Sequence, residues 1–139
     1  MCILLVEDEW LIRTMAAMEM IDGGFTVHEA ENGDQAFALI SQDPAVFSLL
    51  VTDIHMPGSL DGIGVARLLR QRRPDIPVIY TTGRPDVLNS LQLSEGKDVL
   101  LRKPFELTDL LAAVRRLLGQ GDEQVAANGR RMGNGFGQG

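Results

Sequence analysis

Apolar residues arrive along this chain in two rhythms. Cys2 to Val6, Phe47 to Thr52, Pro77 to Thr81 and Val99 to Leu101 form short, nearly continuous runs, and Phe25 to Ala30 alternates weakly. Runs of this length, rich in Val, Ile and Leu and bounded by turn residues, read as strands of a parallel sheet covered on both faces. Between them the apolar spacing changes to three and four. From Glu9 to Ile21, residues Leu11, Ile12, Met15 and Met18 fall at intervals suited to one inward helix face, so this Met-rich segment reads as core, and Asp22-Gly23-Gly24 ends it. Asn32-Gly33-Asp34 opens a second helix over about 35–41, closed by Pro44. Leu60-Asp61-Gly62 opens a third that runs through Arg73 with Val65, Leu68 and Leu69 inward, and Pro74 stops it. The stretch 86–93 reads as a short fourth helix. Glu106 to Leu118 has the strongest helical period, through Leu107, Leu110, Leu111, Val114, Leu117 and Leu118, with an acidic start and Gly119 behind it. Five strand-helix pairs result, an α/β pattern.

Four of the strand-like runs end in groups that handle phosphate and cations. Cys2 to Val6 leads into Glu7-Asp8, Phe47 to Thr52 into Asp53, Pro77 to Thr81 into Thr82, and Val99 to Leu101 into Arg102-Lys103. Ligands of parallel α/β sheets bind beyond the carboxyl ends of the strands, where side-by-side strands would gather three carboxylates, a hydroxyl and an ammonium. Close carboxylates repel by a few kcal/mol per pair at an effective dielectric of about 20, so something positive must sit among them. Lys103 offsets one charge, and a divalent cation offsets more; all-oxygen donors favour a hard ion such as Mg²⁺. With the ion in place, one carboxylate can attack phosphorus while ion and lysine neutralise the equatorial oxygens. Asp53 is the candidate nucleophile, because it ends its strand directly and Ile54-His55-Met56-Pro57 must then turn away. Glu7 and Asp8 are the candidate metal holders.

Length and composition narrow the setting. A chain of 139 residues, 45% hydrophobic and 23% charged, suits one globular domain. A net charge of -6 argues against nucleic-acid binding through a general electrostatic field. The lone Cys2 cannot form an internal disulfide and reads as a small packed hydrophobe. Neither a leader peptide nor a run of about 18 apolar residues is present, so a membrane role is unsupported and a cytoplasmic location is expected. From Gly119 onward the character changes, with seven glycines in the last 21 residues, and 119–139 reads as a disordered tail behind a domain spanning 1–118.

Val6-Glu7-Asp8-Glu9, Thr52-Asp53-Ile54-His55-Met56-Pro57, Thr82-Gly83 and Lys103-Pro104-Phe105 together resemble the motifs of response-regulator receiver domains of two-component signalling, the fold of the chemotaxis regulator. The resemblance implies a flavodoxin-like, doubly wound sheet of five parallel strands in the order 2-1-3-4-5. It implies that Asp53 accepts a phosphoryl group from a phosphohistidine on a sensor kinase or histidine phosphotransfer protein, with Mg²⁺ required. By the same carry-over Asp8, Asp53 and the backbone carbonyl of His55 hold the metal, Glu7 acts through water, and Thr82 and Lys103 bond phosphoryl oxygens. Of the adjacent threonines, strand alternation lets one face the site; Thr82 is chosen because Gly83 follows it, and Thr81 then points the other way. Kinase contact is expected near the first helix and the Pro104-Phe105 loop.

The sequence departs from that pattern in three places. Leu100 stands where many receivers carry Tyr or Phe, three positions before the lysine. The loop from Met56 to Gly62 is one residue longer than the commoner form. His55 and Arg84, each two positions past a site residue, flank the approach of a hydrolytic water and are expected to set phosphoryl lifetime. Rival chemistries fit worse. A haloacid-type phosphatase needs a second acid where His55 stands, a nucleotide binder would find its phosphate repelled by Glu7-Asp8-Glu9, and one cysteine with two histidines offers no zinc spacing. The remaining alternative is a receiver-like binding module or phosphate sink without a phosphorylation-driven output. The expected protein is otherwise a stand-alone regulator, monomeric or weakly dimeric, that signals by binding a downstream protein and catalyses little beyond its own phosphorylation and dephosphorylation.

Overall fold

The computed structural model describes residues 1–84, 93–94 and 96–119. Strands β1 (Cys2–Val6), β2 (Thr26–Ala30), β3 (Phe47–Asp53), β4 (Val78–Thr82) and β5 (Asp98–Arg102) form one sheet in the order β2-β1-β3-β4-β5, with every pairing parallel. This is the expected winding, with the order reversing at β1/β3. The helices are α1 (Trp10–Asp22), α2 (Gly33–Gln42), α3 (Gly62–Arg72) and α4 (Leu107–Leu117), with a 3₁₀ turn over Pro44–Val46. The predicted short helix over 86–93 lies, but for Leu93, outside the described residues, as does the predicted tail beyond Gly119.

Alternation along the strands divides the core into two layers. Leu4, Val6, Leu50, Val78 and Tyr80 face one way, onto Ala36 and Ile40 of α2 and Val65 and Leu69 of α3. Ile3, Leu5, Leu49, Val51 and Ile79 face the other way, onto Ala16, Ala17 and Met20 of α1 and Leu110, Ala113 and Val114 of α4. Each such aliphatic side chain contributes roughly 1.5–3 kcal/mol by leaving water. Cys2 is buried and unpaired, as its position suggested, and His28 lies on the exposed edge strand with its ring edge-on to Phe47.

The first helix corrects the sequence reading. Leu11, Met15 and Met18, expected inward, are exposed, and Ile12 is half-buried; the buried stripe is Ala16, Ala17 and Met20, beside a half-buried Arg13. Positions 13, 16, 17 and 20 have a helical spacing as good as the greasier set, but two of them are alanines. Small side chains let α1 lie close on the sheet, and that geometry outweighs raw hydrophobicity.

Loops at the strand ends are held by capping side chains and by close backbone approach. Asn32 accepts from the Gln35 amide at 2.8 Å to start α2, and Asp61 accepts from the Gly64 amide at 2.9 Å to start α3. A β-carbon on Gly62 would stand 2.0 Å from the Asp53 carbonyl oxygen, so glycine lets α3 begin directly against the end of β3. At the opposite rim, Arg70 of α3 donates to the Ile76 carbonyl and to Asp98 at 2.6 Å, and Asp98 also accepts from the Ser94 amide at 2.8 Å. The Asp98 side chain is almost fully buried, so removing its partner strands a charge. Arg70→Ala is expected to lower the unfolding free energy by about 3 kcal/mol in a urea titration, with partial recovery in the Arg70→Ala/Asp98→Ala double variant.

Candidate functional site

The carboxyl ends of β1, β3 and β5 deliver the acidic and basic residues picked from the sequence to one place. Carboxylate oxygens of Glu7, Asp8 and Asp53 all lie within 4.8 Å of one another. Lys103 reaches across the sheet to them, its Nζ 2.9 Å from Glu7 Oε1 and 3.1 Å from Asp53 Oδ2. Glu7 and Asp53 are buried, so these contacts are screened far less than surface pairs. The neighbouring backbone fixes their positions. Glu7 Oε2 accepts from the Glu9 amide at 3.1 Å and Asp53 Oδ1 from the His55 amide at 3.2 Å, while the Ile54 and Lys103 amides donate to the carbonyls of Thr81 and Thr82. The Lys103-Pro104 peptide is cis.

One ammonium among three carboxylates leaves a formal excess of two negative charges, the charge that a single divalent cation carries. The donors are all oxygen, which suits a hard divalent ion. The cluster is therefore capable of coordinating such a metal.

These arrangements match a described family. The family model "Response regulator receiver domain" aligns with residues 3–115. The chain belongs to that family. The response regulator MprA of Mycobacterium ulcerans is 38% identical over 117 residues, covering 84% of this chain and 49% of that protein. The chain thus spans about half the length of the curated regulators it matches. Among solved structures, a response regulator receiver protein from Sinorhizobium medicae has a TM-score of 0.77 at 30% identity, covering 85% of this chain and 94% of that one. The receiver domain of the hybrid histidine kinase CckA has a TM-score of 0.72 at 29% identity, covering 85% and 99%. Sequence and fold agree on a receiver domain of two-component signalling, with an acidic cluster suited to phosphoryl transfer.

The receiver's remaining predicted residues are less directly engaged. Thr82 is fully buried at the end of β4, and its hydroxyl is occupied by the next turn, accepting from the Arg84 amide at 3.0 Å and donating to the Arg84 carbonyl at 3.3 Å. His55 follows Asp53 as expected, and its buried Nε2 has no protein hydrogen-bond partner among the described residues. Sequence reasoning missed two supports. Arg13 of α1 donates to the Glu7 carbonyl at 2.8 Å and pairs with Glu29 at 3.3 Å, tying the end of β1 to the helix and to β2. Glu9 supplies the amide that orients Glu7. No motif marks Arg13, since its partner lies six residues away and is a backbone atom. No helix among the described residues is long and apolar enough to cross a membrane.

Burial pushes the Glu7 carboxyl up to about 7, outweighing the opposing bonds from Lys103 and from the Glu9 amide. Asp53 is raised for the same first reason, against the pull of Lys103. Lys103 loses by desolvation but gains more from Glu7 and Asp53, and its pKa rises. A carboxyl raised from 4.5 to about 7 holds a proton in the folded chain that the unfolded chain has released, so stability falls as pH rises through that window. In cation-free buffer, thermal melts of Glu7→Gln are expected to lose part of this downward slope between pH 5 and pH 7, a window set by linkage. An unchanged slope would show that Glu7 is already ionised there.

Proposed function

We propose that this chain is a phosphorylation-driven response regulator in which Asp53 accepts a phosphoryl group from a phosphohistidine. The single supporting observation is the Glu7-Asp8-Asp53 cluster, with Lys103 bridging its two buried members, Glu7 and Asp53. Asp53 attacks phosphorus, the P–N bond breaks, and the imidazole leaves with the electron pair. Mg²⁺, held by Asp8, Asp53, the His55 carbonyl and, through water, Glu7, would supply positive charge to the equatorial oxygens. Lys103 bonds one of those oxygens and Thr82 another. To do so, the Thr82 hydroxyl must leave the Arg84 backbone, and this exchange passes the chemical state of Asp53 to the loop after β4. Leu100, in register with Tyr80, does not offer the rotating aromatic ring found in many receivers, so this loop carries more of the response. His55 and Arg84 set how long the acyl phosphate lasts.

The donor is a sensor kinase or histidine phosphotransfer protein, and α1 is its landing surface. Leu11, Met15 and Met18 form an exposed stripe, continued by a cavity of about 340 Å³ between Ile12, Met15, Phe105 and Leu107, with Lys103 at its rim. An apolar stripe beside the phosphate-handling lysine suits a helix that presents a phosphohistidine. The acting unit is residues 1–118, working in the cytoplasm as a monomer or weak dimer that binds a downstream protein, with 119–139 outside it.

With Mg²⁺ and acetyl phosphate, the wild type is expected to shift on a phosphate-affinity gel and Asp53→Asn is not. Met15→Glu should label normally from acetyl phosphate but at least about tenfold more slowly from a phosphorylated histidine kinase, as expected when a central apolar contact is lost. Equal labelling of Asp53→Asn would reject Asp53 as acceptor, and equal kinase rates would reject the α1 surface.

A further inference from the structure

Two of the three clustered carboxylates are held through their own oxygens. Lys103 and the Glu9 amide bond Glu7, and Lys103 and the His55 amide bond Asp53. Asp8 gains no such bond from Lys103, whose other ion pair, at 3.9 Å, is with Glu9. Placing Asp8 falls to the backbone, and the peptide unit that leads into it carries the Glu7 carbonyl. A peptide unit is planar and stiff, so the direction of its oxygen sets where the Asp8 α-carbon and side chain emerge. Pairing of β1 with its neighbours ends at Val6, just before this unit. Beyond that point the Glu7 amide donates to the Ala30 carbonyl at 3.0 Å, and the Glu7 carbonyl accepts from Arg13 Nη1 at 2.8 Å.

We propose that Arg13 is a positioning residue for Asp8: by gripping the peptide between the two adjacent acids, it aims the Asp8 carboxylate at Glu7 and Asp53 and so completes the cation site. Its bearing on Mg²⁺ rests on the proposed role of the cluster; its hold on the peptide does not. Arg13 is itself fixed on two sides. Its amide donates to the Glu9 carbonyl at 2.9 Å in the first turn of α1, and its Nε lies 3.3 Å from Glu29 on β2. A guanidinium carries separate donors in a rigid fork, so one side chain serves the Glu7 carbonyl and the Glu29 carboxylate together. Glu29 also neutralises the Arg13 charge. The excess of two negative charges at the cluster is thereby left for the metal, and the support does not act as a competing counter-ion.

The sign of one effect separates positioning from charge. Arg13→Met removes a cation and leaves Glu29 unbalanced, which by charge alone would tighten Mg²⁺ uptake. Loss of positioning weakens it. Calorimetric titration of Mg²⁺ into the whole chain is expected to give a dissociation constant about tenfold higher for Arg13→Met than for the wild type, the low end of the effect of losing an outer-shell partner. Unchanged or tighter uptake in a variant that melts cooperatively would overturn the role, since a merely structural loss lowers the melting temperature and spares the affinity of the folded chain. Arg13→Gln carries the same expectation if Arg13→Met does not fold. Crystal structures of the metal-free wild type and variant are the second reading. The Glu7-Asp8 peptide is expected to turn in the variant, with the Asp8 oxygens leaving the 4.8 Å cluster, and an unmoved Asp8 would overturn the proposal. Failure of the wild type to take up Mg²⁺ would instead reject the cation site, and the position of Asp8 in the crystals would still decide what Arg13 does.

Discussion

Lys103 held between Glu7 and Asp53 is the contact on which the rest of the molecule depends. Two buried carboxylates beside a third cannot share one ammonium without a residual excess of negative charge, and burial raises the pKa of both Glu7 and Asp53. The fold bears this cost because its sheet fixes where each strand ends. β1 and β3 are adjacent at the topological switch point, so Glu7 and Asp53 emerge side by side, and β5 returns Lys103 to them from the far edge. The supports around the cluster hold the backbone in place: Arg13 on the Glu7 carbonyl, Gly62 against Asp53, and the His55 and Glu9 amides on the carboxylates.

The sheet and the cluster were legible because both follow from local patterns. Continuous apolar runs gave the strands, and the polar residues at their ends were conspicuous against them. The strand order came from the resemblance, and the observed pairing agrees with it. What was not legible depends on distance. Arg13 acts on a backbone atom, so no side-chain pattern advertises it. Gly62 reads as an ordinary helix start, and only the packed backbone shows that a methyl group there would collide with Asp53. The hydroxyl choice between Thr81 and Thr82 rested on alternation and on Gly83; in the structure the Thr82 hydroxyl bonds the Arg84 backbone, and the Thr81 hydroxyl has no partner among the described residues.

The first helix misled for an instructive reason. Periodicity identifies stripes, and α1 has two: one of Leu11, Met15 and Met18, the other of Arg13, Ala16, Ala17 and Met20. Counting hydrophobicity selects the first, while close packing on a sheet selects the second. The rejected stripe then remains exposed, and its Met15 lines a cavity shared with Lys103 and Phe105.

The crowded carboxylates of Glu7, Asp8 and Asp53 must constitute a cation site if Asp53 is to be phosphorylated. Titration calorimetry of Mg²⁺ into the purified chain at neutral pH tests this most directly. Saturable uptake of one ion, abolished in Asp8→Asn and in Asp53→Asn, is the expected result. No detectable uptake by the wild type in millimolar excess would contradict it.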